Sequence, residues 1–270
     1  MKTEKVSEFI VDWLKNYAQA NKISGFVVGI SGGIDSAVTS TLCAKTGLEV
    51  ICIEMPIKQN HEHVSRAKNH IKNLESNYTN VSGKLVDLNS VFDSFCNEIN
   101  SSKNNSTDDL SLANSRARLR MTTLYYFAGI NNYLVVGTGN KVEDFGVGFY
   151  TKYGDGGVDL SPIADLLKSQ VFNLGKFLKV DKTIINAKPS DGLYADSRSD
   201  EDQIGATYDE LEWAMKTEES NSKESDREKE VLKIYRSFNK KNKHKMEPIP
   251  ICIIPCLLYT SPSPRDSDSS

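Results

Sequence analysis

Two glycines, two hydroxyl side chains and one carboxylate lie together in the run Ser31–Ser36, which reads SGGIDS. The run follows a short apolar stretch, GFVVGI at 25–30, and precedes a helical stretch that Gly47 ends. Paired glycines let a backbone approach a ligand closely, and the first turn of a helix offers N–H groups to phosphate. The run therefore predicts a phosphate-binding loop, with a capped tight turn as the purely structural alternative.

Asp35 distinguishes this loop from the loops of ordinary nucleoside triphosphate hydrolases. The GxxxxGK[ST] pattern of those enzymes is absent from the sequence. A carboxylate repels phosphate, so its presence here is explained if it holds a magnesium ion that the phosphates share. The loop thus predicts a site for a nucleotide together with Mg²⁺.

Strand-like and helix-like stretches alternate along the chain, and this order can position such a loop. Four short β-rich stretches lie at 25–30, 48–56, 84–89 and 133–139, with helical stretches between them. The alternation predicts an α/β fold with a doubly wound parallel sheet flanked by helices. The loop is expected at the carboxyl edge of that sheet, where such folds bind ligands. The polar run at 101–111 is expected to be a surface loop.

Both ends of the chain carry apolar residues. An opening stripe recurs at helical spacing and predicts one apolar helix face, formed by Val6, Phe9, Ile10, Trp13, Leu14 and Tyr17. The run IPICIIP at 249–255 is expected to be a buried end. Residues 256–270 change to a Ser/Pro-rich tract that resembles a translated sequencing adapter. We therefore expect one domain over 1–255, followed by a non-native or disordered tail.

Composition limits the classes of function. The net charge of −3 lacks the basic excess typical of nucleic-acid-binding proteins. The five cysteines include no CxxC pair, which indicates a reducing compartment. The sequence shows no signal peptide and no stretch near the roughly 20 apolar residues of a membrane span. We therefore expect a cytoplasmic protein that acts on small molecules, without a nucleic-acid or membrane partner.

A second long run, GTGNKVEDFGVGFYTKYGDGGVD at 137–159, adds carboxylates and a lysine. Glu143 can complete a carboxylate pair with Asp35 around a metal, and Lys152 can meet a phosphate or a carboxylate. The SGGxDS loop resembles that of the N-type ATP pyrophosphatases, which have the adenine nucleotide alpha hydrolase-like fold. Within that class, the segment GFYTKYGDGGVD resembles the NAD synthetase family, and further matching motifs occur in family order over about residues 5–255.

The resemblance implies an ammonia-dependent ligase that forms a C–N bond. Such an enzyme uses ATP to amidate deamido-NAD (nicotinic acid adenine dinucleotide) through an adenylated intermediate. The products are NAD, AMP and pyrophosphate, in the last step of NAD biosynthesis. Ammonia is expected to arrive free or from a separate glutaminase, because this chain has no room for an amidase domain. A tRNA-thiolating ATP pyrophosphatase and an inactive nucleotide-binding module are the alternatives, which the acidic charge balance and the intact motifs disfavour.

The resemblance also assigns ligand-binding residues. It places ATP on Gly29, Ile30, Ser31, Gly32, Gly33, Ile34, Asp35, Ser36, Thr138, Lys168 and Ser190. It places deamido-NAD on Arg118, Lys152, Asp159, His244 and Lys245. Mg²⁺ is assigned to Asp35 and Glu143. Asp144 is the alternative to Glu143, because the spacing from Glu143 to Lys152 is one residue longer than expected.

By the same resemblance, Asp35, Lys168 and Asp155 are expected to be catalytic, with Asp155 orienting ammonium or accepting its proton. The motif at 200–209, DEDQIGATYD, is expected to be structural, because acids at a helix start favour the helix dipole. The resemblance further implies a homodimer, with the helix around Arg118 contributing to its interface.

Overall fold

A four-stranded parallel sheet forms the centre of the computed structural model, which describes residues 1–100, 106–189, 199–217 and 225–259. The strands are β1 (Gly25–Gly29), β2 (Glu49–Glu54), β3 (Val81–Leu85) and β4 (Tyr133–Val136). Their spatial order is β3-β2-β1-β4, so β1 is flanked by β2 and β4. The predicted α/β fold with a parallel sheet is confirmed.

Helices flank the sheet, and further helices follow its last strand in the sequence. They are α1 (Thr3–Ala20), α2 (Ile34–Lys45), α3 (His61–Asn77), α4 (Asn89–Glu98), α5 (Ser106–Asn131), α6 (Lys168–Phe177), α7 (Lys182–Ile185), α8 (Asp200–Ile204), α9 (Tyr208–Thr217) and α10 (Asp226–Met246). A π-helical turn lies at Val142–Val147 and a 3₁₀ turn at Cys256–Leu258. None of the helices in the described part of the chain is both long and apolar enough to cross a membrane.

Each face of the sheet buries apolar side chains against a helical layer. On one face, Phe26 and Val28 of β1 pack with residues of α1, α2 and α6. On the other face, Val27 of β1 and Val135 of β4 pack with residues of α4 and α5. Because the strands of a parallel sheet are covered by helices on both faces, their sequences are continuous apolar runs rather than alternating ones.

A third apolar cluster is built by the second half of the chain. It joins the π-helical turn to α8, α9 and α10, and it fully buries Leu211 and Leu232. Since α10 carries His244 and Lys245, this cluster fixes the position of two residues predicted to bind substrate.

The two predicted motifs meet at one edge of the sheet. From β1 the chain moves outward to β2 and β3, and then returns to β4 on the other side of β1. Ligands of open α/β sheets bind in the crevice outside the carboxyl ends of the strands where the order reverses. The loop at Ser31–Ser36 follows β1 and the run at 137–159 follows β4, so both motifs reach this crevice.

The predicted opening helix is confirmed, and only part of its apolar face lies against the core. Within α1, Ile10 and Leu14 are buried, whereas Phe9 and Trp13 are 71% and 39% exposed. Successive helix residues are rotated by about 100°, so the stripe that contains Phe9 and Trp13 lies beside the core-facing stripe rather than on it. Helical periodicity alone therefore does not distinguish the core-facing residues of α1 from the exposed ones.

Three local predictions were wrong. The expected buried end at 249–255 is exposed, with Ile251 at 82% and Ile253 at 86%. Its prolines lack the backbone N–H that a helix or strand would use. The third strand begins at Val81 rather than at 84, and the expected loop at 101–111 is helical from Ser106 onward. Residues 101–105 and 260–270 lie outside the described residues.

Replacing Leu42 tests the packing of the apolar cluster between the sheet and helices α1, α2 and α6. Leu42 of α2 is fully buried, so Leu42→Ala is expected to lower the free energy of unfolding by about 2–5 kcal/mol. Leu85→Ala is the matched control, because Leu85 is 66% exposed and its loss is expected to cost under about 0.5 kcal/mol. Urea denaturation of both variants measures the difference, and equal losses would contradict this view of the core.

Candidate functional site

A cleft with a volume of about 630 Å³ opens at the carboxyl edge of the sheet, between the ends of β1 and β4. Residues of α5 and α10 line its sides. The residues predicted to bind ATP, deamido-NAD and metal all line this cleft, with three exceptions. Gly32 turns toward α3, Asp159 lies on another surface, and Ser190 lies outside the described residues.

The loop after β1 is held by its own hydroxyl groups. Ser31 Oγ lies 3.1 Å from Ser36 Oγ and accepts from the Gly33 backbone N–H at 3.2 Å. Gly32 has a φ of +83°, and a Cβ there would lie 2.5 Å from the His63 carbonyl oxygen of α3. Only glycine fits this position, so the backbone of the loop can pass close beneath α3 and open toward the cleft.

Lys168 is the most deeply buried cation of the cleft. Its side chain is 3% exposed, and its Nζ donates to Asp35 Oδ2 at 2.6 Å and to Glu143 Oε1 at 2.9 Å. Burial alone would lower the pKa of Lys168, but the two carboxylates outweigh it and raise the pKa above its ordinary value. Three elements that are far apart in the sequence therefore meet in one charge cluster at the base of the cleft.

The same two carboxylates have the chemistry of a divalent-cation site. Asp35 and Glu143 converge on one positive charge, and carboxylate oxygens are the ligands that Mg²⁺ prefers. Burial opposes the ionisation of Glu143, but Lys168 and the Tyr208 hydroxyl lower its pKa. Within the described ranges, no three His, Cys, Asp or Glu side chains form a metal-binding group. Phosphate and water oxygens are suitable further ligands for such an ion.

Asp144 has a different environment from its neighbour Glu143. Its carboxyl group is largely buried, and burial together with Glu143 and Asp155 raises its pKa to about 8. A Cβ on Gly139 would collide with this carboxyl group, so the close approach of the two requires glycine at 139. Glu143, which shares Lys168 with Asp35, fits the cation-binding pair better than Asp144 does.

Four of the predicted substrate residues form a connected basic group that also lines the cleft. Arg118 of α5 donates to the Lys152 carbonyl oxygen at 3.3 Å, and Lys152 Nζ donates to the His244 carbonyl oxygen at 2.9 Å. Lys245 Nζ donates to the carbonyl oxygens of Gly148 and Tyr150. Because these contacts join α5, α10 and the run at 137–159, the basic side chains are brought together from three segments.

Asp155 lines the cleft near both Glu143 and Lys245. Its Oδ1 accepts from the Thr151 backbone N–H at 2.9 Å, and its side chain is open to the cleft. Loss of solvent contact and the charge of Glu143 raise the pKa of Asp155. The Thr151 N–H and the charge of Lys245 lower it, but the net pKa lies above the ordinary value. This position suits a group that binds or releases a proton within the cleft.

Asp159 lies apart from the other predicted substrate residues. It accepts from the Tyr125 hydroxyl at 3.0 Å and from the Val135 backbone N–H at 2.8 Å. It lines a shallow groove together with Trp13 and Phe145, which are both exposed. Within the single chain, Asp159 therefore binds a backbone N–H of β4 and is exposed on the outside of the molecule.

The comparison with known protein families agrees with this geometry. The model of the NAD synthase family matches residues 6–249, which include every described element of the cleft. The chain belongs to the NAD synthase family. One relative in this family, the NH(3)-dependent NAD(+) synthetase of Carboxydothermus hydrogenoformans, is 35% identical over 90% of this chain and 94% of its own.

Solved structures of NAD synthase relatives have the same fold. The NMN synthetase of Francisella tularensis superposes with a TM-score of 0.82 and 31% identity, covering 95% of this chain and 99% of its own. The NH3-dependent NAD synthetase of Campylobacter jejuni, solved with nitrate ion, superposes with a TM-score of 0.75 and 28% identity. That match covers 94% of this chain and 100% of its own.

Sequence reasoning missed residues that hold the NAD synthase cleft together. Asn140 is fully buried, donates to Asp35 Oδ1 at 3.0 Å, and accepts from the backbone N–H groups of Val142 and Glu143. Arg66 of α3 donates to the Gly32 carbonyl oxygen at 3.1 Å and lines the cleft. Asn140 lies inside the recognised run at 137–159, but nothing in the sequence shows that it reaches Asp35.

The pKa of Asp144 predicts a particular pH dependence of stability. The native state keeps a proton on Asp144 up to about pH 8, whereas the unfolded chain releases it near the ordinary carboxyl value of 3.8. The contribution of Asp144 to wild-type stability should therefore fall as pH rises from about 4 to about 8. Asp144→Asn stays neutral, so its stability relative to wild type should increase over this interval.

Urea denaturation at several pH values, with EDTA present to remove metal ions, measures this difference. Asp12→Asn on the exposed side of α1 is the control and should follow the wild-type pH profile. A difference between Asp144→Asn and wild type that stays constant with pH would contradict the assigned burial of a protonated carboxyl group.

Proposed function

We propose that this NAD synthase family member amidates deamido-NAD with ammonia, using ATP and giving NAD, AMP and pyrophosphate. The observation that carries this function is the arrangement of the cleft, which is lined both by the loop at Ser31–Ser36 with Lys168 and by the basic group. One cleft thus offers a site for ATP beside a site for a second phosphorylated substrate.

ATP is expected to lie with its phosphates on the loop at Ser31–Ser36 and on Lys168. The loop supplies backbone N–H groups at the start of α2, and Lys168 supplies a buried positive charge. Asp35 and Glu143 are the residues that would hold Mg²⁺. When bound there, the ion would neutralise charge on the departing pyrophosphate. Thr138 lines the same cleft and is proposed to contact ATP, as is Ser190 from the family resemblance.

The acid substrate is expected to lie on the basic group formed by Arg118, Lys152, His244 and Lys245. Its nicotinate carboxylate then attacks the α-phosphorus of ATP, forming a carboxyl–AMP anhydride while the bond to pyrophosphate breaks. Lys168 and the loop N–H groups stabilise the charge that develops on the phosphate oxygens. Much of the acceleration comes from holding the two reactants in line within one cleft.

Ammonia completes the reaction by attacking the activated carbonyl carbon. Asp155 is proposed to accept a proton from ammonium, so that neutral ammonia becomes the nucleophile. Its raised pKa suits this exchange, because a carboxylate of higher pKa takes a proton more readily. The C–N bond forms, the C–O bond to AMP breaks, and the remaining proton leaves to solvent.

A second candidate differs only in the acid substrate. The structural neighbour from Francisella tularensis is an NMN synthetase, and its similarity to this chain extends over 95% of the chain. Nicotinate mononucleotide has the same reacting carboxylate and one of the phosphates, but it lacks the adenylate half. The choice between the two substrates depends on the basic group and on the surface around Asp159.

The full-length protein is expected to form NAD only when ATP, Mg²⁺, ammonium and deamido-NAD are all present, whereas pyrophosphate release requires ATP, Mg²⁺ and deamido-NAD. Omitting each component in turn is the control, and both products are measured. With nicotinate mononucleotide in place of deamido-NAD, we expect a lower kcat/KM, and a higher value would favour the second candidate. Release of neither product with either acid would contradict the proposed function.

The same assay tests two residues. Asp35→Asn is expected to lower both products, because Asp35 belongs to the loop proposed to bind the phosphates. Asp155→Asn is expected to lower NAD formation by about 100-fold, since general bases contribute on that scale, and to lower pyrophosphate release less. Equal effects of Asp155→Asn on both products would remove its proposed role in the ammonia step.

We further propose that two copies of the chain associate through an exposed aromatic surface, formed by Phe9, Trp13, Phe145, Tyr126 and Ile130. Trp13, Phe145 and Asp159 line one groove, and Asp159 is bonded to Tyr125 of α5. Tyr126 and Ile130 on the same helix are 62% and 61% exposed. A second copy on this surface would cover these side chains and would enclose Asp159, which the family resemblance assigns to substrate binding.

Wild-type protein is expected to elute at twice the mass of one chain in size-exclusion chromatography with light scattering. Tyr126→Glu should shift the protein toward the monomer and raise the KM for the acid substrate, because a buried charge opposes association. Phe177→Glu is the matched control, since Phe177 is also exposed but lies on α6, outside the aromatic surface. A monomeric wild type, or dissociation by Phe177→Glu alone, would contradict this interface.

A further inference from the structure

Tyr208 is a buried residue of the motif at 200–209, outside the residues assigned to the reaction so far. It is the first residue of α9 and is 6% exposed. Its hydroxyl group donates to Glu143 Oε1 at 2.6 Å and lies 3.1 Å from Asp200 Oδ2. Burial and the nearby carboxylates raise the pKa of Tyr208, so the hydroxyl keeps its proton and acts as a donor.

The ring of Tyr208 also contacts the charge cluster. Lys168 Nζ lies 4.7 Å from the centroid of the ring, which is the distance of a cation–π interaction. One side chain therefore touches both Glu143 and Lys168, through its hydroxyl group and its ring face respectively. These are the side chains that would hold Mg²⁺ and contact the phosphates of ATP.

A second residue of α9 fixes the segment that carries Lys168. Glu212 is 5% exposed and accepts from the Ser169 backbone N–H at 2.8 Å and from Ser169 Oγ at 2.7 Å. Tyr208 and Glu212 are four residues apart, so they lie on the same face of α9. This face thus contacts Glu143 directly and anchors the first turn of α6, where Lys168 begins the helix.

Glutamate and lysine side chains have several rotatable bonds and lose conformational entropy when they are held in one geometry. A neighbouring residue that contacts such a side chain, without itself binding the metal or the substrate, reduces this freedom before either one binds. Loss of such a partner commonly costs about 10–100-fold in metal affinity or activity. The contacts of Tyr208 are of this kind, because it reaches a proposed ligand without lining the cleft itself.

We propose that Tyr208 is a positioning residue for the reaction, which orients Glu143 through its hydroxyl group and Lys168 through its ring. This inference rests on the proposed function of Glu143 and Lys168 in binding Mg²⁺ and ATP. The motif at 200–209 then contributes to the site as well as to the fold.

Two variants of the full-length protein separate the two contacts. Tyr208→Phe removes the hydroxyl group and keeps the ring, whereas Tyr208→Leu removes both. Binding of Mn²⁺, measured by electron paramagnetic resonance with an ATP analogue that cannot be cleaved between the α and β phosphates, should weaken by about 10-fold in Tyr208→Phe. The free Mg²⁺ concentration for half-maximal rate should rise by a similar factor, with a smaller change in kcat. Tyr208→Leu should lower kcat further, because Lys168 also loses its contact.

Tyr235→Phe is the matched control, because Tyr235 is a second buried tyrosine of the third apolar cluster and lies on α10. It should leave Mn²⁺ binding and the Mg²⁺ dependence at wild-type values, even if it lowers the Tm. The inference is overturned if Tyr208→Phe lowers the Tm as Tyr235→Phe does and leaves metal binding unchanged. Failure of the wild type to form NAD would instead reject the proposed function, while the Mn²⁺ measurement would still test Tyr208.

Discussion

The buried ammonium group of Lys168, held between Asp35 and Glu143, is the interaction on which the rest of the site depends. Transfer of isolated charges from water into a protein interior is strongly unfavourable, so each member of this cluster requires the other two. The neighbouring polar groups of Asn140 and Tyr208 complete its hydrogen bonds. The cluster fixes where the loop after β1, the π-helical turn and the start of α6 lie relative to one another.

The topology of the sheet brings these segments together at one edge. The loop follows β1 and the π-helical turn follows its neighbour β4, so the two carboxylates approach each other although 108 residues separate them in the sequence. The third apolar cluster then fixes α9 and α10 against the π-helical turn. As a result, the cleft has one wall that belongs to the sheet layers and another that belongs to the C-terminal helices.

Much of this arrangement could be predicted from the sequence, because the chemistry lies in contiguous motifs. The loop at Ser31–Ser36 and the run at 137–159 indicated both the fold and the cleft. The sequence does not decide the structure where one pattern has two physical causes. An apolar stripe such as Phe9 and Trp13 has the same periodicity whether it faces the core or the outside. The roles of Asn140 and Tyr208 depend on contacts over long sequence separations, which local patterns do not encode.

The Lys168 contacts also affect how the chain folds, because they join distant parts of the sequence. Lys168 and Asp35 are separated by 133 positions, and Lys168 and Glu143 by 25. Closing a loop of the first length costs chain entropy that only later contacts repay, so this pair belongs to the slow, non-local part of folding. A chain emerging from the ribosome carries Asp35 long before its cationic partner exists. All four strands precede Lys168 in the sequence, so the charge cluster cannot form until every strand of the sheet has been synthesised.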